Sequence, residues 1–117
     1  MAALDRVRVL REFRAAVNMD AAELEEWLAT DESHRVGFRR PGCEESVGHL
    51  SGRRIVSILR TPEPELDEGD YAHMRRVVGF VRRHRAQEPA NPVTSRWRWS
   101  LMNWGCDPPK DMRDERE

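Results

Sequence analysis

The arginines of segment 66–87 (LDEGDYAHMRRVVGFVRRHRAQ) are the side chains of this sequence best suited to bind a ligand. Projected at about 100° per residue, Arg75, Arg76, Arg82 and Arg83 form two rows beside an apolar helical face, and Gly79 lies between the rows. Guanidinium groups bind phosphate or carboxylate through paired N–H donors. The pattern therefore indicates a smooth basic surface that could meet a phosphate backbone.

A second basic helical segment precedes this one in the chain. Over residues 45–60 the sequence predicts that His49, Arg53 and Arg60 project away from the apolar face. The two segments predict association with nucleic acid, DNA foremost, through phosphate contacts. The predicted contact residues are Arg53, Arg60, Arg75, Arg76, Arg82 and Arg83. No helix-turn-helix is assigned, because the connection is longer than the 3–4 residues typical of that motif.

The distribution of charge also allows the arginines to be neutralised within the fold. The formal net charge is -1, and acidic blocks at 20–34 and 61–70 alternate with the basic ones. Blocks of opposite sign on successive elements produce either distinct surface regions or ion pairs between elements. Glu23, Glu25, Glu26 and the acids of segment 63–70 are the candidate partners for such pairing.

Tryptophan residues near the end of the chain suggest an alternative function. Trp97, Leu101 and Trp104 share one helical stripe that we expect to pack on the domain, whereas Trp99 points away from it beside Met102. An exposed tryptophan between arginines is a typical interaction residue. The alternative is a protein–protein interaction module that uses Trp99, Met102 and the acidic second helix.

No catalytic residue, metal site or cofactor is predicted. The potential metal ligands are Cys43, His49, His73, His84 and Cys106, and their spacing matches no structural zinc pattern. The sequence contains no nucleophile elbow, phosphate-binding loop or other motif that would indicate an enzyme. We therefore expect a non-catalytic protein.

Apolar periodicity predicts an all-α fold, a single-domain bundle of about five helices. They are expected near 4–17, 21–29, 45–60, 68–87 and 96–104, the fourth being a long central helix and the last a short, Trp-rich one. Residues 31–34 could add one helical turn, and the basic loop that follows is expected to tuck Phe38 onto the core. No stretch alternates like a β-strand.

Capping signals set the expected helix ends. Asp20 with Glu23 has the spacing of a capping box, and Asp67 is followed at the same interval by an aspartate. Thr94 or Ser95 is expected to cap the last helix, and Gly105 to end it. Gly48 and Gly52 leave two alternatives: a third helix that starts late with Ser51 as its cap, or a close approach of a neighbouring helix.

Length and composition predict one domain over residues 1–110 and a charged, frayed tail over 111–117. No apolar run reaches the roughly 18 residues that a membrane span requires. Two cysteines without a signal peptide favour a cytoplasmic location. The oligomeric state is not indicated.

The runs SVGHLSGRRIVSIL, DYAHMRRVVGFVRRHRAQ and WRWSLMNWGCDP, in this order, resemble the domain of unknown function 3140 family. The resemblance covers about residues 13–110. It implies a small bacterial or fungal protein without an established activity, in a family of which some members are labelled DNA-binding. It supplies no catalytic residues. Cys106 stands where the family pattern has histidine, so any role that needs an imidazole there is in doubt; a thiol could serve as a metal ligand, and a cap or surface role would tolerate the exchange.

Overall fold

A computed structural model of the protein describes residues 5–93 and 95–110, and all regular structure within these ranges is helical. The helices are α1 (Arg6–Ala16), α2 (Ala21–Leu28), α3 (Asp31–Arg35), α4 (Val47–Leu59), α5 (Glu68–Arg85) and α6 (Arg96–Asn103), with a 3₁₀ turn at Glu63–Glu65. The all-α prediction is confirmed. There is one α-helix more than the five expected, because Thr30 caps the turn at 31–34 through its side chain and makes it a short helix.

The helix ends follow the predicted caps. Asp20 accepts a hydrogen bond from the backbone N–H of Glu23 (2.8 Å), and the Glu23 carboxylate accepts one from the backbone of Asp20 (2.9 Å). Asp67 and Asp70 make the same reciprocal pair at the start of α5. Such caps satisfy backbone donors that the first helical turn leaves free. Ser95 caps α6; the alternative cap Thr94, the predicted start at Leu4 and the predicted tail 111–117 lie outside the described residues.

The core forms where two helix pairs meet the last helix. Helix α1 packs along α5 and α2 along α4, while α6 contacts α2, α3, α4 and α5. The fully buried side chains include Phe13, Leu24, Ile55, Met74 and Leu101, one from each of the five longer helices. Helix α6 thus fills the space between the two pairs, and its Trp97, Leu101, Trp104 stripe is buried as predicted.

The glycines of α4 allow the close approach of a neighbouring helix. Helix α4 begins at Val47 with Ser46 as its cap, so the late start at Ser51 is wrong. A Cβ added at Gly52 would lie 2.5 Å from the backbone oxygen of Asn103, and one at Gly48 would lie 2.9 Å from the indole nitrogen of Trp104. Helix α6 therefore packs against α4 at distances that side chains would prevent.

Two expected placements are wrong. Phe38 is 70% exposed, because Val36 (1% exposed) takes the place on the core and Gly37 turns the chain with a φ of +96°. His49 does not project outward with Arg53 and Arg60 but is buried. Its Nε2 donates to the carbonyl oxygen of Leu28 (2.8 Å), since α2 packs on that side of α4.

Among the described residues, no helix is long and apolar enough to cross a membrane. The domain boundary at residue 110 and the cytoplasmic location stay predictions.

Candidate functional site

The exposed face of α5 carries three arginines without a protein partner. Arg75, Arg76 and Arg83 are exposed, and none forms an ion pair or a side-chain hydrogen bond with another residue in the described part of the chain. The apolar face of the helix packs on α1 and the core. Helical periodicity places Arg76 and Arg83 opposite to this face and Arg75 on the same edge as Arg82. Gly79 lies among them, with the Arg83 guanidinium beside it.

The other three predicted contact arginines are held by carboxylates from neighbouring elements. The pairs, with their N–O distances, are Arg53–Glu45 (3.0 Å), Arg60–Glu25 (2.9 Å) and Arg82–Glu12 (2.9 Å). The hydrogen bond from Arg60 lowers the pKa of Glu25, and Glu25 in turn raises the pKa of Arg60. The six arginines thus divide into a neutralised set and a set without carboxylate partners among the described residues.

Position on the helices explains this division. Arg53 and Arg60 lie on the edge of α4 that faces α2, where the acidic block supplies Glu25. Arg82 lies on the edge of α5 that faces α1, where Glu12 lies. Arg76 lies beside α4, at a recess whose described lining contains no aspartate or glutamate.

A basic recess lies between α4 and α5, next to the free face. It has a volume of about 200 Å³, and its charged and polar lining is Arg40, Ser51, Arg54, His73 and Arg76. Arg54 is paired with Asp70 at 3.3 Å. Arg40 and Arg76 form no ion pair with a described residue. The recess therefore presents more positive than negative charge in a concave site.

The surroundings of His73 in this recess determine its protonation state. His73 is buried, and its Nε2 lies 2.9 Å from the Ser51 hydroxyl oxygen. Burial lowers the pKa of His73 to about 4, with further lowering by the nearby charges of Arg54 and Arg76. His73 is therefore neutral at pH 7, and a bound anion there would meet the guanidinium groups rather than an imidazolium.

An aromatic cleft of about 430 Å³ adjoins this recess. Its lining consists of Gly37, Phe38, Arg40, Val47, Gly48, Phe80, His84, Ser100, Asn103 and Trp104. The Phe80 ring stacks on Trp104 with centroids 4.3 Å apart, and on His84 at 5.0 Å. Burial lowers the pKa of His84, and its Nε2 is buried without a hydrogen-bond partner in the described structure.

The residues chosen for the alternative interaction surface are only partly accessible. Trp99 and Met102 are both half-buried, and Met102 packs against the core. In the acidic second helix, Glu23 is paired with Lys110 (2.6 Å) and Glu25 with Arg60. This surface is therefore more engaged within the fold than the face of α5.

Metal-ligating residues do not converge in the part of the chain that the structure describes, where no three His, Cys, Asp or Glu side chains could hold one ion. Cys43 is exposed, whereas Cys106 is buried, with its Sγ accepting a hydrogen bond from Arg85 at 3.6 Å. The Cys106 thiol is therefore part of the packed interior.

Sequence patterns did not identify Arg54 or the aromatic cleft. On a helical wheel of α4, Arg54 points about 100° away from Arg53. The wheel shows that the two side chains point in different directions, but it does not show which of them faces α5. The cleft joins a loop to α4, α5 and α6, and such distant residues have no common pattern. The glycine pair in α4 was the available signal, since Gly48 lines the cleft beside Trp104.

Fold and site together define a small all-α protein with a basic helical face and two adjoining recesses. The family model described as "Protein of unknown function (DUF3140)" matches residues 12–102. The chain belongs to this family. No curated protein and no solved structure matches it.

Proposed function

We propose that this protein associates with nucleic acid through phosphate contacts made by the exposed face of α5, without a catalytic step. The observation that carries the proposal is that Arg75, Arg76 and Arg83 lie exposed on one helical face with no carboxylate partner among the described residues. Unpaired guanidinium groups on one exposed surface are suited to phosphate contacts.

The basic recess supports this proposal. Arg40 and Arg76 add charge at the edge of the face, and Gly79 keeps its centre low, so that a phosphate backbone can approach the helix closely. The net charge is -1, but Glu12, Glu25 and Glu45 are paired with Arg82, Arg60 and Arg53 and do not neutralise the arginines of this face. Local charge rather than total charge sets the field at the contact surface.

The protein–protein alternative has less support. Met102 packs against the core, and the acids of α2 are partly engaged by Arg60 and Lys110. Trp99 remains the residue to test for that function. An alanine at Trp99 that leaves nucleic-acid binding intact but abolishes a protein complex would favour the alternative.

Two triple variants with equal changes of charge test the proposed surface. In the first, Arg75, Arg76 and Arg83 become glutamine; in the matched control, Arg53, Arg60 and Arg82 do. Affinity for a random-sequence duplex and a single strand is measured by fluorescence anisotropy at about 50 mM salt, where phosphate contacts are strong. We expect the first variant to lose roughly tenfold or more in affinity and the control to lose about threefold or less, because its arginines are already neutralised.

Equal losses in the two variants would show that net charge, not this face, determines binding. If the wild-type protein binds neither the duplex nor the single strand at low salt, the proposed function is wrong. Circular dichroism of each variant checks that the fold is retained.

A further inference from the structure

The basic recess and the aromatic cleft adjoin each other. Arg40 and Val47 line both of them, so these two residues lie where the two spaces meet. No aspartate or glutamate is among the described residues that line either space. An anionic site and an apolar, aromatic site are thus side by side.

The aromatic cleft has the properties of a site for a flat ring. Phe38 exposes 70% of its surface at a cleft also lined by Phe80 and Trp104. Binding of a ligand that covers an exposed phenyl ring beside an apolar hollow is favourable, because it removes apolar surface from water. With a volume of about 430 Å³, the cleft lies within the range of small-molecule sites.

One residue in the lining of the cleft has a ring nitrogen without a hydrogen bond in the described part of the chain. The Nε2 atom of His84 is buried without a hydrogen-bond partner among the described residues, although buried polar atoms are almost always paired. His84 lines the cleft. This atom has almost no exposed surface, so a ligand in the cleft reaches it only if the imidazole ring turns.

The basic recess has the properties of a phosphate site. Three guanidinium groups, those of Arg40, Arg54 and Arg76, surround a space of about 200 Å³. Asp70 neutralises one of them through its ion pair with Arg54. The two remaining guanidinium groups give the recess a net positive charge, and guanidinium forks bind phosphate oxygens in pairs.

We infer that the two recesses form one site for a single nucleotide unit of a nucleic-acid strand, with an unpaired base in the aromatic cleft and its phosphate in the basic recess. Arg40 lies between the two parts. This inference rests on the proposed function and makes it narrower: the preferred partner is single-stranded. In a duplex the bases are stacked and paired, and a base enters such a cleft only after unstacking.

Two labelled strands of equal charge and one duplex distinguish the contribution of the base. They are a ten-nucleotide thymidine strand, a strand of the same length built of abasic units, and a duplex with the same number of phosphates per strand. Anisotropy at about 50 mM salt measures the affinity of each. We expect the thymidine strand to bind at least about tenfold more tightly than the abasic strand, because a base buried against aromatic side chains adds affinity that phosphate contacts cannot supply.

Variants then locate the base. Phe38→Ala removes an exposed ring and Ser100→Phe fills the cleft from α6; both should bring the thymidine-to-abasic affinity ratio close to one while leaving the affinity for the abasic strand unchanged. Val7→Ala is the matched control, since Val7 is an exposed apolar residue on α1, outside the cleft lining. The double variant Arg40→Gln with Arg76→Gln should weaken binding of both strands.

Backbone amide NMR shifts provide a second readout. The amides of Gly37, Gly48 and Ser100 should move on addition of the thymidine strand and not on addition of the abasic strand. This measurement also shows whether each variant is folded.

The outcomes separate the two proposals. Equal affinity for the thymidine and abasic strands, or a preference that persists in both Phe38→Ala and Ser100→Phe, overturns the nucleotide site and leaves phosphate-directed binding intact. Absence of binding to all three ligands overturns the proposed function and the site together.

Discussion

His73 lies where α4, α5 and the basic recess meet, and its environment keeps the imidazole neutral. The ring is buried, contacts the Ser51 hydroxyl, and is flanked by Arg54 and Arg76. Protonation would place a third positive charge beside two guanidinium groups in a desolvated position. The residue therefore links the stability of the fold to pH.

We predict that the protein loses stability as the pH falls from about 6.5 towards 4. The pKa of His73 lies at about 4 in the folded protein against an ordinary value of 6.5, so between these values the unfolded chain binds more protons. The loss attributable to His73 should be roughly 1–2 kcal/mol between pH 7 and pH 5. Above pH 6.5 this group contributes no pH dependence.

Urea denaturation of the wild type and of His73→Gln at the two pH values measures the effect. Glutamine keeps a polar group near Ser51 but does not titrate, so the variant should show a smaller loss between them. Carboxylates with a lowered pKa, such as Glu23, contribute only below their ordinary pKa of 4.5, outside this window. An identical pH dependence in the variant would contradict the assignment to His73.

At the residue scale, the sequence predicted which arginines share a face of α5 but not which of them would be paired. Helical periodicity is local and placed Arg75, Arg76, Arg82 and Arg83 correctly on the helix. The partner of Arg82 is Glu12, 70 residues earlier, and no local pattern connects the two. Ion pairing depends on helix packing, which the spacing of residues does not contain.

Helix α4 owes its position to glycines that face α6. Gly52 meets the backbone oxygen of Asn103 and the side chain of Leu28, and Gly48 meets Trp104. Asn103 is itself fixed, since its side chain accepts hydrogen bonds from Trp27 (2.7 Å) and Ser33 (2.5 Å). A neighbour held in this way cannot move to admit a methyl group.

Two glycine substitutions should therefore have opposite effects. Gly52→Ala should destabilise the protein by roughly 1–3 kcal/mol, because the new Cβ would lie 2.5 Å from a backbone atom. Gly79→Ala on the exposed face of α5 should stabilise it by up to about 1 kcal/mol, since the nearest atom is the flexible end of Arg83 and alanine favours helix.

Thermal and urea unfolding of both variants checks the prediction. A neutral or stabilising Gly52→Ala would show that α4 and α6 can separate at little cost.

At the element scale, helix boundaries were predicted where the signal is local. The capping pairs Asp20–Glu23 and Asp67–Asp70 and the end at Gly105 follow from side-chain and backbone chemistry within a few residues. The loop before α4 was not predictable in this way, since it has no apolar periodicity that would show that Val36 is buried and Phe38 exposed. His49 was misplaced because local spacing does not show that α2 packs on its side of α4.

On the scale of the whole molecule, opposite charges are partly paired and partly segregated. Ion pairs connect α1 with α5, α2 with α4 and α1 with the 3₁₀ turn, and the side chains in these pairs are largely exposed. Exposed pairs contribute little to stability, typically less than about 1 kcal/mol each. The acidic and basic blocks of the sequence thus form ion pairs on some surfaces, and on α5 they leave arginines without a carboxylate partner among the described residues.

Added salt should affect nucleic-acid binding and the stability of the fold differently. Raising salt from about 50 to 500 mM should lower affinity for a single strand about 100-fold if three arginines contact phosphates. The free energy of unfolding should change by no more than about 1 kcal/mol over the same range, because the core is apolar and the ion pairs are exposed. Parallel anisotropy and urea titrations make the comparison; a salt-independent affinity would exclude phosphate contacts as its source.

The residues after α6 return to the junction of α1 and α2. The carbonyl of Gly105 accepts hydrogen bonds from the backbone of Asn18 and Met19 (3.1 and 3.2 Å), and the Asn18 side chain pairs with the backbone of Asp107. During synthesis, residue 18 is made long before residue 105. The backbone N–H groups of Asn18 and Met19 therefore lack this carbonyl acceptor until almost ninety further residues have been added. Closure of the fold is therefore a late event in synthesis, and a chain stalled before residue 105 lacks the acceptor that completes its first helical hairpin.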